Sequence, residues 1–133
     1  MQCLIILNDV PYGSERSYNG LRLATSPAKA EGTGISVFLI GDAASCAVTG
    51  QTTPNGYYNI ERMLKLLAAK GAQVGVCGSC MDACGIKPEN LGAGVSGPLR
   101  EDSGTGWAPA LGRELIFGPP GNSVSSSQAP GYE

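Results

Sequence analysis

Residues 58–77 read YNIERMLKLLAAKGAQVGVC: an amphipathic helix, a glycine stop and a strand, in that order. Ile60, Met63, Leu64 and Leu67 recur at i, i+3, i+4 and i+7, with Glu61, Arg62 and Lys65 on other faces. That period predicts a helix from Tyr58 to Lys70. Gly71 suits the position just past a helix end, where the backbone turns left-handed. Gln73 to Cys77 then reads as a short strand that ends on a thiol.

The same unit recurs on the N-terminal side. Cys3 to Leu7 is a continuous apolar run closed by Asn8 and Asp9, the pattern of a strand buried on both faces. Residues 11–15, PYGSE, read as a turn and a helix start with Ser14 as N-cap and Glu15 at the positive end. That helix carries Leu21 and Leu23 and runs toward Lys29 or Glu31, but Pro27 predicts a kink or an early end. Ile35 to Ile40 is a second strand, rich in β-branched and aromatic residues. A short helix over Ala43 to Val48 and a loop over Gly50 to Gly56 follow. Three strand-then-helix units predict an α/β fold. It is a single domain with an open, mostly parallel sheet and helices on both faces, a Rossmann-like three-layer arrangement.

Beyond Pro88 no apolar period survives, and the glycines and prolines over 91–112 predict an irregular C-terminal part. Leu115 to Phe117 reads as a last short strand. Gly118 to Glu133 is Pro, Gly and Ser rich and reads as a tail without fixed structure. The domain is therefore expected over 1–117, with the tail at 118–133.

The chain has 133 residues, 42% hydrophobic, with a formal net charge of −2. That size suits one core, and the balance gives no basic footprint for nucleic acid or anionic membranes. Neither a secretory leader nor a membrane-length apolar run is legible, so the expected location is cytoplasmic. There is no histidine, which removes Cys-His nucleophiles and every imidazole metal site. There are five cysteines: Cys3, Cys46, Cys77, Cys80 and Cys84. In a reducing compartment the last three, within eight residues, suggest catalytic, redox or metal chemistry.

Cys77 falls at a strand end, on the edge where open α/β sheets bind ligands. Ser79 and Asp82 have the form of an N-cap and a weak capping box, which would put Cys80 at a helix N-terminus and favour its thiolate. Four readings stand here: buried core thiols, a dithiol couple, a zinc or iron–sulfur site on Cys77, Cys80 and Cys84, and a persulfide carrier. Cys3 and Cys46, inside a strand and a helix, read as core residues. The glycines match no dinucleotide or phosphate-loop motif, so no organic cofactor is expected.

Taken together, residues 8–15, 21–24, 37–43, 50–51, 56–64, 77–82 and 85–86 resemble the DsrE/YchN-like family of small sulfur-relay proteins in order and spacing. The resemblance implies a mostly parallel α/β fold, a homo-oligomer (trimer or hexamer), and sulfur-donor and sulfur-acceptor proteins as partners. It makes Cys77 the persulfide-carrying thiol and Cys80 the second thiol of the motif. Cys84 stands where related sequences usually carry arginine, and 92–112 lacks the amphipathic helix usual there, as a shifted reading frame or degenerate copy would give. Asn8, Asp9, Glu15 and Asp42 lie at or after strand ends on the Cys77 edge, with Tyr12, Tyr58 and Cys84 as candidates to line the same cleft. Each also reads as a cap, turn former or packing residue.

Overall fold

Five parallel strands form the sheet: β1 Gln2–Leu7, β2 Gly34–Leu39, β3 Gln73–Cys77, β4 Val95–Leu99 and β5 Glu114–Phe117, in the order β4-β3-β2-β1-β5. The computed structural model describes residues 2–99 and 114–117, the last four by their backbone. Three α-helices connect the strands: α1 Arg16–Thr25, α2 Ile60–Ala69 and α3 Gly78–Cys84. Short 3-10 segments occupy Pro27–Lys29, Gly41–Ala47 and Pro88–Asn90.

The alternation of strand side chains sets the core. Ile5 pairs with Val37 and Val37 with Val74; Leu7 pairs with Leu39 and Leu39 with Val76. These side chains project to one face, where Leu21 and Ala24 of α1 and Ile60, Leu64 and Leu67 of α2 join them in a single cluster. Burying each large aliphatic side chain contributes roughly 1.5–3 kcal/mol. Strands β1, β2, β3 and β4 advance in one direction, so right-handed crossovers place α1 and α2 on the same side. The expectation of helices on the opposite face as well concerns the link from β4 to β5, and residues 100–113 lie outside those described.

Several expectations shift by a residue or two. α1 begins at Arg16 with Glu15 at the N-cap position. Ser14 still serves that end, since its Oγ accepts the Arg16 N–H at 3.2 Å and donates to Asp9 Oδ2 at 2.8 Å. Pro27 ends α1 early, and its segment continues as 3-10 helix. α2 ends as its sequence implies: Gly71, at φ +91°, donates to Ala68 O, and Ala72 donates to Leu67 O, a Schellman closure.

The irregular reading of the C-terminal part is corrected at Val95–Leu99, which forms β4. Pro98 and the two small residues before it, Ser96 and Gly97, hid it, because proline reads against a strand interior. It is tolerated here in the strand beyond β3, where the pairing slips between Gly75 and Val76. Leu115 to Phe117 lies within β5 as expected. The tail at 118–133 lies outside the described residues.

Candidate functional site

β3 carries Cys77 to the carboxyl edge of the sheet, and the chain turns there directly into α3. The N-cap of α3 is Cys77 itself, not Ser79, so the helix starts earlier than its Ser-x-x-Asp pattern implied. Gly78 is buried and opens the helix. Cys80 then lies in the first turn, and its backbone N–H donates to Cys77 Sγ at 3.3 Å. Its thiol lies on the same atom: Cys80 Sγ donates to Cys77 Sγ at 2.7 Å. Two donors from one residue therefore converge on the Cys77 sulfur.

A third contact comes from β2. Gly41, just after the strand, donates its N–H to Cys80 Sγ at 3.1 Å. It does so at φ +60°, a conformation that favours glycine. Burial pushes the Cys80 thiol above its ordinary range, and its hydrogen bond to Cys77 pushes the same way. The Gly41 N–H opposes them, while charge on Cys77 or Cys84 adds to the rise. In the Cys77–Cys80 hydrogen bond Cys80 is the donor.

The other candidates scatter along the edge. Asn8 follows β1; its Oδ1 is buried and has no hydrogen-bond partner among the described residues. The strand order reverses direction at β1, between β2 and β5, so Asn8 also marks the switch point where open α/β sheets form a crevice. Its backbone borders Gly41: a Cβ on Gly41 would lie 3.9 Å from Asn8 O. Asp42 is exposed in the first turn of the 3-10 segment. Glu15 is exposed at the start of α1.

Asp9 and Tyr12 work as struts. Asp9 accepts from Val10 N, Ser14 Oγ and Arg16 Nη1. The Ser14 hydroxyl, then the Val10 N–H, hold its carboxyl below the usual range, with Arg16 adding to them against partial burial. Tyr12 Oη donates to Gln51 Oε1 at 2.6 Å and accepts from Ile60 N at 3.1 Å. Its ring stacks on Tyr58 at 5.9 Å, and Tyr58 stacks on Tyr18 at 4.2 Å. Both polar valences of Tyr12 therefore join the loop at Gln51 to the start of α2.

Residues that sequence reasoning left on the surface turn out to organise this joint. Glu61 is 9% exposed and accepts from Thr49 Oγ1, Gln51 N and Lys65 Nζ. Burial alone would raise its pKa, but hydrogen bonds from Lys65, Gln51, Thr49 and Gly50 outweigh it and hold the carboxyl at about 2. Gln51 also donates through Nε2 to Cys46 O and Val48 O. A helical period marks position 61 as flanking the apolar stripe, and only the loop folded against it reveals the burial.

Cys3 and Cys46 are core residues as expected, 8% and 0% exposed. Burial pushes the Cys46 thiol up to about 12, with Asp9 adding and the Ser17 hydroxyl opposing. Cys84 is exposed at the end of α3. The zinc or iron–sulfur alternative required Cys77, Cys80 and Cys84 to face one point. Among the described residues, no three His, Cys, Asp or Glu side chains converge in a way that could hold a metal ion. No helix of the described residues is long and apolar enough to cross a membrane.

The chain compares with known proteins as this geometry suggests. It is 39% identical over 93 residues to protein YchN of Escherichia coli strain K12, covering 69% of this chain and 79% of that protein. An uncharacterized protein of Methanocaldococcus jannaschii is 37% identical over 91 residues, covering 68% and 78% respectively. The crystal structure of the Escherichia coli YchN protein superimposes with a TM-score of 0.66 at 33% identity, over 88% of this chain and all of that one. A family model described as DsrE/DsrF-like matches residues 1–99, the span that contains β1 to β4 and the paired thiols. With the parallel sheet, the strand-end cysteine and these relatives in agreement, the chain belongs to the DsrE/DsrF-like family.

Proposed function

We propose that this chain is a sulfur-relay protein that carries a persulfide on Cys77. The observation that supports this reading most is the sulfur pair itself: Cys77 Sγ at a strand end, met by the N–H and the thiol of Cys80. In the loading step, Cys77 attacks the outer sulfur of a donor persulfide. A new S–S bond forms at Cys77, the donor's S–S bond breaks, and the donor leaves as a thiolate that takes up a proton. In the unloading step, an acceptor thiolate attacks the outer sulfur, and the Cys77 sulfur departs with the electron pair. The two Cys80 donors face the atom on which that charge collects.

Within this reading the chain acts as a homo-oligomer in the cytoplasm, with a sulfur-donating and a sulfur-accepting protein as partners. Ile40, 37% exposed beside Gly41, supplies apolar surface next to the thiols for such docking. Asn8 and Asp42 belong to the same edge and would shape the approach.

Intact mass after exposure to a small persulfide tests the proposal. The wild type is expected to gain about 32 Da, one reversible sulfur cap, and Cys77→Ser to gain none. An adduct of equal yield on the variant would move the carrier to another thiol, and its absence from both would remove the relay function.

A further inference from the structure

We propose that the Cys77–Cys80 pair also discharges its own persulfide, making the chain a dithiol persulfide reductase that releases hydrosulfide. This rests on the reading of Cys77 as the sulfur carrier. It adds a second fate for the bound sulfur, one that needs no acceptor protein.

The geometry carries the argument. A carrier needs one thiol, yet this site holds a second sulfur 2.7 Å from the first, against ~2.0 Å for a disulfide bond. Both are free thiols. Cys77 at the N-cap and Cys80 in the first turn of α3 already bring their sulfurs into contact. Closing the bond requires the two sulfurs to approach from that contact to bonding distance. Gly41 N–H holds Cys80 Sγ in place from the neighbouring strand end, so the nucleophile is positioned from outside its own helix. Cys84 is exposed one helical turn further along, and Cys3 and Cys46 are buried elsewhere in the core. Cys80 is the thiol held against Cys77.

In the discharge step, Cys80 Sγ attacks Cys77 Sγ, the inner sulfur of the persulfide. The Cys77–Cys80 S–S bond forms and the bond from Cys77 to the outer sulfur breaks. The outer sulfur leaves with the electron pair, in line with the attacking atom, and takes the Cys80 proton to become HS⁻. The sulfane sulfur is reduced to sulfide and the two cysteine sulfurs are oxidised to the disulfide. A small dithiol or a reduced protein dithiol then restores both thiols by exchange.

The test treats reduced, reductant-free protein with one equivalent of glutathione persulfide, following intact mass and free sulfide together. The wild type is expected to pass through the adduct to a species about 2 Da lighter than the starting protein. One sulfide should appear per disulfide, and peptide fragmentation should map the bond to Cys77 and Cys80. Cys80→Ser and Cys80→Ala should keep the adduct about tenfold longer or more, while Cys84→Ser should behave as wild type. A wild-type adduct as long-lived as that of the Cys80 variants overturns the discharge step and leaves the carrier reading standing. No adduct and no sulfide on the wild type overturns both. Should the Cys80 variants fail to fold, the wild-type disulfide and its matched sulfide decide the matter alone.

Discussion

Cys77 ends one element and begins the next, and its sulfur is consequently held by the backbone rather than by a rotamer alone. The N–H that caps onto it belongs to Cys80, whose own sulfur is fixed by Gly41. Gly41→Ala tests that last link. At φ +60° an alanine is strained by about 1 kcal/mol or more. The substitution should lower the melting temperature modestly and also slow persulfide loading at Cys77, whereas a purely structural glycine would change stability alone. Tyr12 is the other residue whose hydrogen bonds span distant segments. Tyr12→Phe leaves the Ile60 N–H without its acceptor and removes a donor from Gln51. A loss of about 1–3 kcal/mol in denaturant unfolding is expected, and an unchanged midpoint would show that water replaces the hydroxyl.

Among the elements, α2 owes its position to both ends. Asn59 caps it by accepting the Arg62 N–H at 2.9 Å, and Asn59 Nδ2 donates to Gln51 O at 3.0 Å. Glu61 in its first turn binds the loop that leads into it. The Glu61 carboxyl sits at about 2 in the fold against an ordinary 4.5, so the unfolded chain binds its proton first as pH falls. Its stabilisation is therefore complete above about pH 4.5 and is lost as the pH drops toward about 2. Unfolding measured across that window should show the wild type weakening, while Glu61→Gln starts lower and has a flatter profile. Equal slopes in the two proteins would mean that another carboxylate carries the acid sensitivity.

The helix period of 60–67, the strand at 73–77 and the run at 3–7 were legible because each is decided by near neighbours. So was the thiol cluster, since strand-end placement follows from the β3 pattern. The start of α3 was not legible. A Ser-x-x-Asp pattern competes with a cap at Cys77, two residues before Ser79, whose sulfur accepts the Cys80 N–H once strand and helix meet. β4 was missed for a related reason. Its pairing with β3 outweighs the poor strand propensity of Ser96, Gly97 and Pro98.

For the molecule as a whole, strand order grades stability. β1, β2 and β3 each pair on both sides, while β4 pairs with β3 alone among the described strands and contains a proline. Native-state hydrogen exchange should find the slowest amides at 5–7, 35–39 and 74–76 and much faster exchange across 95–99. Uniform protection across all four strands would show that β4 opens only with the core.

What the sequence determined by itself was the alternation of strand and helix, the absence of imidazole chemistry and the concentration of thiols at one strand end. These follow from periodicity and composition, which need no knowledge of the partner strand. Only the tertiary structure decided that Cys77 and Cys80 share one contact, that Gly41 braces it, and that Glu61 and Tyr12 are internal struts. Each of those depends on atoms from segments far apart in the chain, brought together when parallel strands must return by a crossover to the same sheet edge.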